Sequence, residues 1–457
     1  MPAPFRLTLP RAAVVLAAAL TVLGCRDKGP AGIALVGATV IDGTGGPPLR
    51  NAVVVIRGTR IEAVASRDGF RMPKHTEQVD VSGRWIIPGL IDVHAHAARW
   101  ALPRYIGWGV TALRDLHNQL DTALALRQGA ALNSFASPRI YAAGAMIDGV
   151  PTTYPDALPA PDASAARKDV DRLAVAGVDY LKVYTRITPP LLRAIAEEAK
   201  SFNLRIAAHL GLTDALTAAS IGVSSIEHLS GVPEAAVDDP APFYAAHQRG
   251  FFAGWTWFER SWAGLDSAQL ARVAAGLARQ KVVLVPTLVL HETFSRLDDS
   301  LIYREPSLAA VPDSEKARWN TPDMIRRASW TAADFDAFRK GRPVQDLFIR
   351  LFRAAGGIVA TGTDASNQML IPGYSEHEEL QLLVRAGLTT NAAIIAATRD
   401  AARLIGADSL GVVAPGRVAD LVVLRADPLA DITNTRAIDR VMLRGNLMKA
   451  DSIRRSW

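Results

Sequence analysis

Eight short apolar runs alternate along the middle of the chain with stretches of helical pattern such as Pro190–Lys200 and Ser267–Gln280. The runs are Leu90–His96, Val110–Leu116, Arg139–Ala145, Tyr180–Thr185, Arg205–His209, Val223–His228, Lys281–Val289 and Gly357–Asp364. Segments this short and apolar read as strands buried on both faces, the pattern of a parallel sheet. Strands alternating with helices imply βαβ units. Eight of them predict a (β/α)8 TIM barrel, an α/β fold whose active site lies at the C-terminal strand ends. The flanks have another texture. Residues 33–87 hold β-branched runs (Ala34–Ile41, Ala52–Ile56) between Gly, Pro and Asp turns, and the tail from Gly411 repeats it in Arg417–Leu424 and Arg440–Gly445. The two ends are expected to form one small β-sandwich (33–87 and 411–457) beside a barrel spanning 88–410.

Metal-ligating residues gather at the ends of these runs. His94 and His96 stand two apart at a strand end, so both imidazoles project to one side. Lys182, His209, His228 and Asp364 sit at or near the C-terminal ends of four further runs. Two neighbouring histidines alone are weak evidence, and each of these residues also has a bland reading as a packed or ion-paired side chain. Together the six describe a binuclear metal centre, and imidazole with carboxylate suits zinc or a similar divalent ion. Lys182 sits among apolar neighbours in Leu181–Tyr184, where an uncharged or carbamylated form is less costly than a buried ammonium.

Tyr184 and Arg186 continue the alternation from Lys182. Tyr184 either hydrogen-bonds a substrate carbonyl or packs, and Arg186 either pairs with a substrate carboxylate or is a loop arginine. His291 and His117 are candidates for the rim, His377 for packing, and His75 and His247 read as surface residues. The aromatic stretch Phe251–Trp262 either lines an apolar pocket or seals the barrel. Glu227, adjacent to His228, is expected on the opposite strand face, which leaves Asp364 to carry the proton as well as ligate metal.

With 457 residues, 49% of them hydrophobic, the chain can bury a large core. A net charge of +6 without a Lys/Arg-rich run argues against nucleic acid. At the N-terminus, Arg6 and Arg11 precede an apolar segment, Ala12–Leu23, too short to span a membrane, and residues 1–24 read as an export signal. Cys25, the only cysteine, follows Val22-Leu23-Gly24, a spacing that resembles the bacterial lipobox and implies lipidation of Cys25 and a tether over 25–32. An ordinary cleaved signal is the alternative. Either way the protein is expected on the periplasmic side, and any contact with the membrane is expected only through a lipid anchor.

The motifs Pro88-Gly-Leu-Ile-Asp-Val-His-Ala-His96, Gly109–Asp115, Leu181–Tyr184, Glu227-His228, Gly362-Thr-Asp364, Ala396–Leu404 and Gly416–Val423, with His209, carry a resemblance over almost the whole chain after residue 24. The chain resembles the amidohydrolase superfamily, in its imidazolonepropionase-like and Xaa-Pro-dipeptidase-like branch. That resemblance implies two divalent ions, with zinc expected, and a carboxylated Lys182 bridging them. It places His94, His96 and Asp364 on the more buried ion and His209 and His228 on the other. It further implies amide hydrolysis by activated water, with Asp364 as proton carrier and Tyr184 at the carbonyl.

Two departures matter. Ala142–Val150 lacks the Gly-His that many dipeptidase-like relatives carry after the third strand, which argues against strict prolyl-dipeptide specificity. His209 is followed by Leu-Gly-Leu, unlike the deaminases. The substrate expected is a small, carboxylate-bearing, partly apolar amide: a dipeptide, an N-acyl amino acid or an amide such as ochratoxin. Cyclic-amide hydrolysis and a non-catalytic binding lipoprotein are the alternatives, and a homo-oligomer is compatible with either.

Overall fold

The computed structural model describes residues 32–457; residues 1–24, read above as an export signal, and Cys25 lie outside the described residues. Among the described residues, no helix is long and apolar enough to cross a membrane.

Both chain ends enter one mixed, eight-stranded sheet. Trp85–Pro88 pairs in parallel with Gly32–Val40 on one side and antiparallel with Leu421–Leu424 on the other, so the two termini are joined strand to strand. The sheet curls until Ile61 N donates to the Arg417 carbonyl at 2.9 Å. Leu35, Val54, Ile56, Ile61, Leu421, Val423 and Met442 fill the core so enclosed. The alternating β-branched runs produce this directly, because successive side chains face opposite sides of a strand.

The central segment folds into two parallel sheets. One holds Leu90–Ala95, Val110–Asp115 and Arg139–Ala142. The other runs in the order Leu158–Pro159, Ile147–Asp148, Tyr180–Val183, Arg205–Ala208, Ser225–Glu227, Val283–Val285 and Ile358–Val359. They meet at both ends: Asp179 N donates to the Ala142 carbonyl at 2.8 Å, and Val93 N to the Thr361 carbonyl at 3.0 Å. Because the strands are parallel, their C-terminal ends open on the same side. Helices between them bury one apolar face. Ser267–Arg279, for example, starts at Asp266, whose side chain accepts from Ala268 N and Gln269 N, and buries Leu270, Val273, Ala274 and Leu277.

Every one of the eight expected runs contains a strand, but several are shorter. The run to Val289 ends early: the chain turns at Thr287 (φ +46°) into a helix, Leu288–Phe294. The short pair Ile147–Asp148 and Leu158–Pro159 has no strand-like signal in sequence. The aromatic stretch forms a helix, Phe251–Ser261.

Candidate metal centre

His94 is the next-to-last residue of its strand, Leu90–Ala95, and His96 stands just past it. The strand-end segment of Asp364 docks beside them, with Thr363 N donating to the His94 carbonyl at 3.0 Å. Gly362 permits the approach, since a methyl there would lie 2.6 Å from His94 Cβ. One ligand atom each of His94, His96 and Asp364 fall within 4.8 Å of one another, a group that could hold a metal ion. Asp364 Oδ1 is 2.9 Å from His96 Nε2 and 3.3 Å from His94 Nε2. Burial would raise Asp364, but hydrogen bonds from His94 and His96 outweigh it and hold the carboxyl well below its usual range. Its second oxygen accepts from Asn367 at 2.7 Å.

The imidazoles are oriented from behind. His94 Nδ1 donates to Glu227 Oε2 at 2.7 Å and His96 Nδ1 to the His117 carbonyl at 3.2 Å, while His228 Nδ1 is hydrogen-bonded to Thr287 Oγ1 at 2.7 Å. A carboxylate or carbonyl can only accept, so His94 and His96 carry a proton on Nδ1, and Nε2 is the nitrogen each turns to the centre.

His228 and His209 form the other side, with ring centroids 4.3 Å from His94 to His228 and 4.7 Å from His228 to His209. Burial, helped by neighbouring positive charge, holds both well below the usual imidazole range, so both are neutral. Lys182 is 2% exposed, its charge acts on both His209 and His228, and its Nζ has no hydrogen-bond partner. Burial lowers its pKa to about 8, against the pull of Glu227 and Asp364. An orphaned, partly neutral amine amid imidazoles and a carboxylate fits a lysine that becomes a ligand.

One sequence expectation is overturned. Glu227 does not face away from His228. His228 and Leu229 have φ of +58° and +57°, so the chain leaves strand alternation just past Glu227, and both Glu227 and His228 come to lie against His94. Glu227 is fully buried between His94 and Arg114, whose guanidinium lies 2.9 Å from Oε1. Arg114 also lies over the Tyr180 ring at 4.7 Å. Asp92 supports the opposite side, with its Oδ2 accepting from Thr363 Oγ1 at 2.6 Å and its Oδ1 from His94 N at 3.1 Å. A charge set inside an apolar strand, Arg114 in Val110–Asp115 or Asp92 in Leu90–Ala95, was the available signal for these supports.

The remaining candidates surround this centre. Tyr184 faces it, ring centroid 4.7 Å from His209, with Tyr154 and Phe251 beside it at 5.6 and 6.4 Å. Burial keeps its hydroxyl protonated, far above the usual range. Arg186 is half-buried and donates to the Gln248 carbonyl at 3.1 Å. His117 pairs with Asp156 at 3.2 Å. His291 is a core residue: Glu259 holds its Nδ1, and its Nε2 donates to the His228 carbonyl at 3.1 Å. His247 is likewise no surface residue, being 6% exposed, whereas His75 is exposed. His377 packs, with Nε2 donating to the Trp108 carbonyl at 2.9 Å.

Residues 85–448 match the model of the Amidohydrolase family. The chain belongs to that family. Uncharacterized Mycobacterium tuberculosis relatives of this amidohydrolase are 30% identical over 204 residues, 41% of this chain and only 31% of their own length. Among solved structures, a Xaa-Pro dipeptidase with bound methionine in its active site aligns over 92% of this chain and 100% of its own, at 19% identity and a TM-score of 0.67. An A. niger ochratoxinase aligns over 92% and 95%, at 20% identity and a TM-score of 0.66. The likeness gives this amidohydrolase a TIM-barrel-like fold with a second domain.

Proposed function

We propose that this amidohydrolase cleaves an amide or peptide-like C–N bond of a small, carboxylate-bearing, partly apolar substrate with activated water. The convergence of four histidines, Asp364 and an orphaned, buried Lys182 at one set of strand ends carries the reading. His94, His96 and Asp364 would hold one ion and His209 and His228 the other. Lys182, as a carbamate formed on its neutral amine, would reach both. Zinc suits this donor set. When bound, the ions supply a water of lowered pKa and a polarised carbonyl.

The chain's own residues then move the proton and hold the substrate. Asp364, ionised throughout the neutral range, accepts the proton of the attacking water and delivers it to the leaving nitrogen. Tyr184 donates its hydroxyl proton as a hydrogen bond to the carbonyl oxygen. Phe251 and Tyr154 line the apolar side of the substrate, while Arg186 and His117 are the candidates for recognising its polar end. Solved structures of similar fold include a Xaa-Pro dipeptidase and an ochratoxinase, which supports an amide substrate. The domain reading is a closed (β/α)8 barrel over 88–410 with a β-sandwich from 33–87 and 411–457. We further read residues 1–24 as an export signal and Cys25 as a lipid anchor; Cys25→Ser should move the protein out of the membrane fraction, and unchanged fractionation rules lipidation out.

Metal-replete protein assayed with dipeptides, N-acyl amino acids and cyclic amides tests the activity. Hydrolysis of the open-chain amides that a chelator abolishes is expected. Turnover of cyclic amides alone replaces the reading with its runner-up, and turnover of none of the three overturns it.

A further inference from the structure

Three of the four histidines at the centre have a protein partner on Nδ1: Glu227, the His117 carbonyl and Thr287. His209 differs. Among the described residues, none is hydrogen-bonded to its ring. It lines instead a cavity of about 10 Å³ together with Thr185, Ser230, His247, Phe251 and Trp255. That is about the room one buried water needs, and four of the lining residues besides His209 offer polar side-chain atoms: Thr185, Ser230, His247 and Trp255.

Two buried polar residues have hydrogen bonds unmade: His247, which lines the cavity, and Glu234, which neighbours His247. Glu234, in the short helix Val232–Ala236, is 2% exposed, and neither of its carboxylate oxygens has a partner. His247 Nε2 lies 3.4 Å from Glu234 Oε1 without hydrogen-bonding geometry, and it has no hydrogen-bond partner. The His247 ring occupies its place because two neighbours are glycine. A methyl on Gly254 would lie 2.2 Å from His247 Nδ1, and one on Gly211 would lie 2.9 Å from it. A carboxylate buried with both oxygens idle is unfavourable unless a further group completes it. A metal-ligating histidine almost always gives its second N–H to a carboxylate, a carbonyl or a water.

We propose that Glu234 and His247 are positioning residues for His209, joined to its ring by a single water held in this cavity; the inference rests on the binuclear reading of the centre. The water accepts the His209 ring N–H and donates to His247, whose Nε2–H is turned to Glu234. His209 is thereby fixed in the tautomer and orientation that the other three histidines receive from direct contacts. The device acts on one ion only, since His209 belongs to the second of the two metal positions.

Two measurements decide it. A crystal structure of the metal-free protein should contain one ordered water within hydrogen-bond distance of both His209 and His247; a dry cavity, or a water that does not touch His209, overturns the proposal. Zinc binding in competition with a chromogenic chelator should show, for His247→Phe and Glu234→Gln, an unchanged first ion and a second ion bound about 10- to 100-fold more weakly, the usual cost of losing an outer partner. Wild-type affinity for both ions in both variants also overturns it. Gly254→Ala, which displaces the His247 ring without removing a polar group, should reproduce the loss if His247→Phe does not fold. A wild-type protein that takes up a single ion defeats the binuclear reading itself, and the crystallographic water then decides the positioning role alone.

Discussion

Glu227 grips His94 and Arg114 at once, with one carboxylate oxygen 2.7 Å from the imidazole Nδ1 and the other 2.9 Å from the guanidinium, all three groups being buried. Arg114→Met should destabilise the fold by about 3–5 kcal/mol, because it strands a buried carboxylate. Burial would raise Glu227, but Arg114 and His94 outweigh it and hold the group at about 2, below the ordinary 4.5. The stabilisation is therefore complete above pH 4.5 and is lost as pH falls toward 2. Thermal melts across the acid range should show Arg114→Met unfolding at higher pH than wild type; superimposable curves would disprove the pairing.

Lys182 has a pKa of about 8 with an unpartnered Nζ, so roughly a tenth of it is neutral at pH 7 and open to carbamylation. Lys182→Ala should lose metal and nearly all activity, and short carboxylic acids should restore part of both by refilling the bridge. Full metal content and activity in the variant would end the carbamate reading.

Asp364→Asn tests the proton carrier. General acid–base help is worth about 10²–10⁴-fold, so kcat should fall by at least that factor while KM changes little. Glu227 does reach the centre, yet its two oxygens are committed to His94 and Arg114, which leaves it no means of substituting. Near-normal kcat with metal retained would require another base.

Glu379, fully buried behind the centre, gives a stability test of opposite sign. One oxygen accepts from Val289 N at 2.8 Å, the other has no partner, and burial pushes the carboxyl up to about 8. The folded state then holds a proton that the unfolded chain releases near 4.5, so stability should decline as pH rises from 4.5 toward 8. Glu379→Gln keeps the acceptor without the charge, and its melting temperature should be flatter over that interval. An unchanged slope would show that another group sets it.

Local pattern was enough to reveal the strand–helix alternation, the pairing of the two chain ends and the six ligand candidates, because each rests on the period of apolar residues or on a residue type at a strand end. His94, His96 and Asp364 come together as that pattern implies. What lay beyond it was set by backbone turns and distant packing. The left-handed backbone at His228 breaks the strand alternation and admits Glu227, which periodicity alone assigns to the other face. His247 looks polar and superficial in sequence, but glycines at 211 and 254 let its ring sit inside. Arg186 keeps the alternation in sequence, yet its chain has left the strand and its guanidinium reaches the Gln248 carbonyl. Sequence by itself determined which residues have ligand chemistry and which end of the sheet they occupy. Only the tertiary structure decided what orients them, because an imidazole's second nitrogen finds its partner on another strand, at a distance along the chain that no local rule measures.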